Sequence, residues 1–223
     1  MRSNAACALS LALCCAAPAA GLYAEVASPL TLAELMRRMA DTAGVEARFR
    51  ETRELALLSA PLESRGLLYF VPPDRLARFT TEPVASALVV DGERVHFREG
   101  SGDAQALDLS DSPTARGFVE HFLVLFGGDL ERLEQVYRTG FSADGPRWTL
   151  ALTPRREPLS RFVESVTLRG DDRGLSEIAL VDRDGDRTTT VFEETRLGRS
   201  FSPRELEQLF SEGLPLEAAA SRP

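Results

Sequence analysis

Pro61-Leu62-Glu63-Ser64-Arg65-Gly66-Leu67-Leu68-Tyr69-Phe70-Val71-Pro72-Pro73-Asp74-Arg75-Leu76-Ala77-Arg78-Phe79-Thr80-Thr81-Glu82-Pro83 is the stretch whose reading decides the fold. Leu67 to Val71 is apolar at every position. Pro72-Pro73-Asp74 then breaks the strand, because proline fixes φ and offers no ladder N–H. Arg75 to Thr81 resumes extended chain until Pro83 stops it. A strand that is apolar on both faces needs both faces covered. In a β-rich chain that implies a sheet curled around something, with a cover outside it or a cargo within.

Working outward toward the N-terminus, Thr31-Leu32-Ala33-Glu34 has the form of a capping box, in which Glu34 reaches back to the cap. Leu32, Leu35, Met36 and Met39 follow at helical spacing, and Gly44 ends the helix. Val45, Ala47 and Phe49 then alternate with charged residues in a strand running toward Leu57. C-terminal to the deciding stretch, Ala87–Val90 and Arg94–Arg98 flank Asp91-Gly92 as a hairpin. Its second arm sets Val95 and Phe97 against a polar face carrying Arg94, His96 and Arg98. A weak strand is expected near Ala104 to Leu109. Two apolar helices come next. The first is capped by Ser112-Pro113 and carries Phe118, Val119, Phe122, Leu123 and Phe126. The second is capped by Asp129 after Gly127-Gly128 and carries Leu130, Leu133, Val136 and Tyr137. Gly140 to Ala143 leads into a turn, and three further strands hold Trp148/Leu150/Leu152, Phe162/Val166/Leu168 and Ile178/Leu180. Thr188 to Thr195 makes another, and Ser202-Pro203-Arg204-Glu205 caps a final helix from Pro203 to Glu212.

The expected fold class is α+β, mainly β: about ten strands in hairpin order, forming a curved antiparallel sheet or unclosed half-barrel with a lid of short helices. Residues 1–24 read as a cleaved secretory signal, with a positive start, an apolar run from Ala5 to Ala17, and cleavage after Ala19 or Ala24. Residues 25–213 are expected to form a single domain, and 214–223 a frayed tail. Cys7, Cys14 and Cys15 all fall in the signal. Leu13 before Cys14 departs from the small residue that a lipid-attachment site requires. The expectation is an exported, cysteine-free, monomeric periplasmic protein.

Composition excludes several functions. The formal net charge is −8 and every basic residue is arginine. Such a chain has neither the basic footprint of a nucleic-acid binder nor a polybasic membrane signal. There is no Gly-x-Ser-x-Gly, no phosphate loop and no lysine, so no enzyme and no cofactor are expected. His96 and His121 are the only histidines, too few for a metal site in a mature chain expected to keep no cysteine. Asp182-x-Asp184-Gly185-Asp186 echoes a calcium loop but lacks the later glutamate and sits where a hairpin turn is due. No metal site is expected.

In order, the residues resemble a known family. Phe49-x-Glu51-x-Arg53, then Pro61-Leu62-x-Ser64-x-Gly66-x-Leu68-x-Phe70-x-x-Pro73-Asp74-x-Leu76 and Pro83, then Val90-x-Gly92, Gly127-Gly128-Asp129, Trp148-x-Leu150-x-Leu152-x-Pro154 and Gly185-Asp186-Arg187 are similar to the LolA-type lipoprotein carriers of the Gram-negative periplasm. The match runs from about Leu32 to Leu197 and is nearer the LolA-like branch than LolA itself. The resemblance implies a cavity that holds acyl chains of a lipid or lipoprotein and moves them from an inner-membrane exporter to an outer-membrane acceptor. Candidate cargo-binding residues are then Phe49, Leu68, Phe70, Leu88, Val90, Phe97, Trp148, Leu150, Leu168, Ile178 and Leu180, with Phe118, Phe122 and Phe126 on the lid. Apolar alternation alone reports burial and not occupancy, so these residues are equally readable as core. In the family an arginine after the strand preceding the Pro-rich turn latches the lid. Pro72 stands at that position here, and Arg65, Arg75 and Arg78 are the candidate substitutes. Glu51 and Arg53 share a strand face, where they either hold a head group or form an exposed pair. The alternative function is an RseB-like regulatory sensor that binds lipid and a protein partner; RseB-like chains carry an added C-terminal domain where this one has a short helix. A small hydrolase is the third.

Overall fold

The computed structural model describes residues 30–210. The expected signal segment with its cysteines, the expected tail and the expected extension of the last helix to Glu212 lie outside the described residues.

Eleven strands form one antiparallel sheet that does not close into a barrel. After helix α1 (Leu32–Ala40), the chain meanders outward through β1 (Val45–Glu54), β2 (Leu62–Val71), β3 (Arg75–Glu82), β4 (Ser86–Asp91), β5 (Arg94–Glu99) and β6 (Gln105–Asp108). Helices α2 (Pro113–Gly127) and α3 (Leu130–Val136) carry it to the other edge. From there β7 (Tyr137–Asp144), β8 (Arg147–Pro154), the short α4 (Leu159–Phe162), β9 (Val163–Asp171), β10 (Gly174–Asp182) and β11 (Arg187–Leu197) return to the middle. β11 pairs with β1 along nearly its whole length, from Val45 opposite Leu197 to Glu54 opposite Arg187. Helix α5 (Pro203–Phe210) follows.

The two faces of β2 meet two different covers. Leu68 and Phe70 join Phe49, Leu76, Val90, Trp148, Leu150, Leu152, Val166 and Leu168 in a core closed by Leu35 and Met36 of α1, Val124–Phe126 of α2 and Leu133 of α3. Leu67 and Tyr69 point the other way and join Ala77, Phe79, Ala87 and Val89 beneath Leu209 and Phe210 of α5. Alternation with a two-residue period therefore splits one apolar run between two cores.

Helix α5 is held on that outer face by polar contacts at its start and an aromatic contact at its end. Ser202 and Glu205 form the reciprocal capping box, with the Ser202 amide donating to Glu205 Oε2 (2.9 Å) and the Glu205 amide to Ser202 Oγ (3.3 Å). Arg199 ties Glu205 (2.6 Å) to Glu46 of β1 (3.0 Å), and the Arg75 guanidinium lies 4.6 Å from the centre of the Phe210 ring. At α1 the expected box is only half made. Thr31 Oγ1 accepts from the Glu34 amide (3.2 Å), but the Glu34 carboxylate turns to Arg37 and Arg38.

Four local expectations are corrected. Tyr137 opens β7 instead of ending α3, and Gly140–Ala143 continue that strand, adding an eleventh. Phe162 ends α4, outside the strand, and is 47% exposed. The inward side of α2 carries His121, Val124, Leu125 and Phe126, while Phe122 is 43% exposed. His96 is buried, because its partner across the ladder is Val89 of the outer core, so that face of β5 is not the solvated one its charged neighbours suggest.

Close packing within the sheet and the lid depends on glycine. Phe49 lies over Gly66 of β2, and Trp148 lies over Gly170 of β9, each opposite its glycine in the ladder; a Cβ at either position would run into the ring. Gly128 caps α2 in the left-handed conformation (φ 73°), and a Cβ there would strike the backbone of Met36 and Ala40 in α1. This contact docks one lid helix on the other. Gly127, by contrast, has open space around its missing Cβ.

Gly128→Ala is therefore expected to lower stability by about 2 kcal/mol or more, a Tm drop of about 4–8 °C for a chain of this size. Gly127→Ala is expected to be neutral or slightly stabilising. Thermal unfolding of the two variants side by side checks this. A second expectation concerns His121, which is 2% exposed, with Nε2 3.3 Å from the Tyr137 hydroxyl and Nδ1 without a partner. Burial lowers its pKa to about 4. The unfolded chain takes up this proton near pH 6.5 and the folded one only near 4. Stability should therefore be full above about pH 6.5 and fall as pH drops toward about 4, by roughly 3 kcal/mol. Chemical denaturation across that window should show the slope in the natural protein and a flatter profile in His121→Gln.

Candidate functional site

Between α1 and the sheet lies a cavity of about 830 Å³, within the roughly 300–1,000 Å³ range of ligand pockets. Leu35 and Met39 of α1 and Phe126 of α2 roof it. Val45 and Ala47 of β1, Leu68 of β2, Trp148 of β8, Leu175 of β10 and Phe192 of β11 form its floor and walls. Ala47 puts a small side chain between Val45 and Phe49 on the inner face of β1, beside the cavity.

The mouth is polar. Thr31, Glu34, Arg38 and Thr42 come from α1 and its flanks, Asp171 and Asp172 from the β9–β10 turn, and Thr195 from β11. Hydrogen bonds from Arg37 and Arg38 lower the Glu34 pKa to about 2, so this carboxylate stays charged. The Trp148 indole N–H donates to the Asp171 carbonyl (3.1 Å), which fixes the ring at the cavity wall. The arrangement can take up an apolar chain and keep a polar head at the lip. Among the described residues no three histidine, cysteine or carboxylate side chains are grouped to hold a metal ion. The Asp182–Asp186 segment is a hairpin turn, with the Gly185 amide donating to Asp182 O (3.0 Å).

Of the expected cargo residues, Leu68, Phe126 and Trp148 line this cavity. Phe49, Phe70, Val90, Leu150 and Leu168 are buried in the same-face core, with Phe118, Ile178 and Leu180 packed at its border. Leu88 is half-buried. Phe97, with a single strand between it and the sheet edge, is 39% exposed. The α1 contribution, together with Val45, Ala47, Leu175 and Phe192, is cavity wall that the sequence reading misses. The apolar helix face of Leu35 and Met39, set opposite a strand bearing one small residue, is the signal that could have found it.

The three candidate latch arginines separate. Arg65 and Arg75 belong to the outer-face positions of β2 and β3. Arg65 faces Glu82 (3.8 Å) and Arg75 pairs with Asp91 (2.6 Å) beneath Phe210. Neither is on the lid side of the sheet. Arg78 is on that side. Its guanidinium stacks 4.3 Å from the centre of Phe49, and Nη2 sits 3.0 Å from Glu51 Oε2 without an aligned hydrogen bond. Glu51 also accepts from the Thr190 hydroxyl (3.1 Å). Glu51 is thus paired on the inner face and is not at the cavity mouth.

The comparisons bear on this geometry. The family model for the LolA-like outer membrane lipoprotein carrier protein matches residues 24–196. No curated protein matches the chain. Among solved structures, the chain is similar to a LolA superfamily protein from Nitrosomonas europaea, at 12% identity over 78% of this chain and 96% of that one, with a TM-score of 0.43. It is also similar to a chain of the MucA/MucB complex of Pseudomonas aeruginosa, at 16% identity over 77% of this chain and 57% of that one (TM-score 0.45). A third is LprF from Mycobacterium bovis, at 11% identity over 77% and 92% (TM-score 0.39). Likenesses this distant carry no argument, and the assignment rests on the sequence model, which spans most of the chain. The chain belongs to the LolA-like outer membrane lipoprotein carrier family.

Proposed function

We propose that this protein is a periplasmic carrier that takes acyl chains of a lipid or lipoprotein into the cavity beneath α1 and moves them from the inner to the outer membrane. The observation that carries this reading is the cavity itself, apolar within and polar at the lip. Its natural donor is an inner-membrane exporter and its acceptor an outer-membrane protein. Neither step needs catalysis. Each methylene moved from water into an apolar site gains about 0.8 kcal/mol. A bilayer offers a similar gain, so transfer from membrane to carrier is close to balanced and depends on access and not on bond-making. Met39 in the roof suits such a role, since an unbranched thioether side chain adapts to chains of different shape. Stacking on Phe49 and contact with Glu51 support Arg78 as the latch candidate of the three arginines.

Native mass spectrometry of the protein purified from its own cells, followed by lipid extraction, is the direct test. The expected result is one acyl-chain species bound per protein. A protein that is empty and also refuses added lipid or lipopeptide would overturn the carrier reading and favour a partner-binding regulatory one. Trp148, the sole tryptophan of the chain, offers a solution readout. Its emission is expected to change in intensity as an acyl chain enters the cavity beside the ring. Ala47→Phe should push a ring into the cavity, narrow it beside Leu68 and weaken acyl binding at least tenfold, with the far-UV spectrum unchanged. Retention of full affinity in that variant would place the acyl site elsewhere.

A further inference from the structure

The lip of the cavity carries more information than its interior. Four charged side chains line it: Glu34 and Arg38 on the α1 side, Asp171 and Asp172 on the turn facing them. Arg38 is the one cation among these, and it is engaged by Glu34 (3.0 Å). Arg37, just behind, is held between Glu34 (2.9 Å) and Asp41 (2.7 Å). The opposite lip has no such neutralisation. Asp171 Oδ1 accepts only the backbone N–H of Arg173 (2.8 Å), and among the described residues no cation pairs with Asp171 or Asp172. Arg173 is exposed and does not line the opening. Three carboxylates against one guanidinium leave the mouth at a net −2. A head group parked there as the chain enters sits against this charge at the edge of a low-dielectric wall, where Coulomb interactions exceed those in bulk water.

We propose that Asp171 and Asp172 set head-group specificity: the cargo is an acyl amphiphile whose head carries no net negative charge, and anionic lipids are rejected at the lip. This rests on the carrier reading above and adds the class of cargo. The same apolar interior would take any acyl chain, so the rejection is made by the mouth.

The test compares two probes of one chain length, the neutral monohexadecylglycerol and the anionic hexadecyl phosphate, binding to the delipidated protein by Trp148 emission and calorimetry. At low salt the phosphate is expected to bind about tenfold more weakly, or about 1.4 kcal/mol. High salt should narrow the gap, because exposed charges are screened. The double variant Asp171→Asn, Asp172→Asn should close it by strengthening binding of the phosphate relative to the neutral probe; the introduced amide at position 171 retains an oxygen for the turn hydrogen bond. Equal affinity for the two probes, or a gap that survives in the double variant, would overturn the specificity claim and leave the carrier reading standing. Failure of both probes to bind would overturn the carrier reading, and this proposal with it.

Discussion

Two apolar faces on one strand dictate most of what this molecule is. Leu67 to Phe70 cannot lie on a one-sided sheet, because either alternate pair would then face water. The structure meets this demand with helices on both sides: α1, α2 and α3 over Leu68 and Phe70, and α5 over Leu67 and Tyr69. The inner cover has to arch over a curved surface, and three short helices do not fill it completely. The cavity is the space left over. The outer cover has no such problem, because one helix pinned by Arg199, Glu205 and Arg75 suffices for the small patch formed by β2, β3 and β4. Cavity and strap are thus two answers to one constraint.

Much of this architecture is legible in the sequence, where the local code is strong. Proline and glycine mark the strand ends, and Ser112, Asp129 and Ser202 mark helix starts that the hydrogen bonds bear out. What escapes is information held between elements. Whether Phe97 or Phe49 is buried depends on distance from the sheet edge, a property of strand order that no single strand displays. The same holds for His96. Its neighbours in sequence are charged, but its neighbour across the ladder is Val89. Tyr137 falls at a helix-to-strand junction, where an apolar residue satisfies both periods. The cavity wall is hardest to foresee, since a site built from Ala47 is announced by the smallness of a side chain. Large apolar residues draw attention to the well-packed core instead.

The inner face also shows how little charge the fold tolerates there. Arg78 and Glu51 are paired with each other, and Arg78 lies flat on Phe49. Removing one partner of a shielded pair strands the other, so such a pair more often specifies an arrangement than stabilises it. In the lid, His121 is a buried polar group bonded to a tyrosine. Both belong to packing against the sheet, whereas the charges at the cavity lip face solvent.

The seam between β1 and β11 brings together residues at opposite ends of the described chain, with Val45 opposite Leu197. The sheet is two meanders joined at their first and last strands, and the helices of the lid are the bridge between them. Val45 and Ala47 of the cavity come from one meander, Trp148, Leu175 and Phe192 from the other. Neither half of the chain can therefore enclose the pocket alone. Pairing at such sequence separation closes a very long loop, an entropic cost that slows folding. A chain with only one meander formed has hairpins and apolar faces but no pocket, which is complete only when the last long strand pairs with the first.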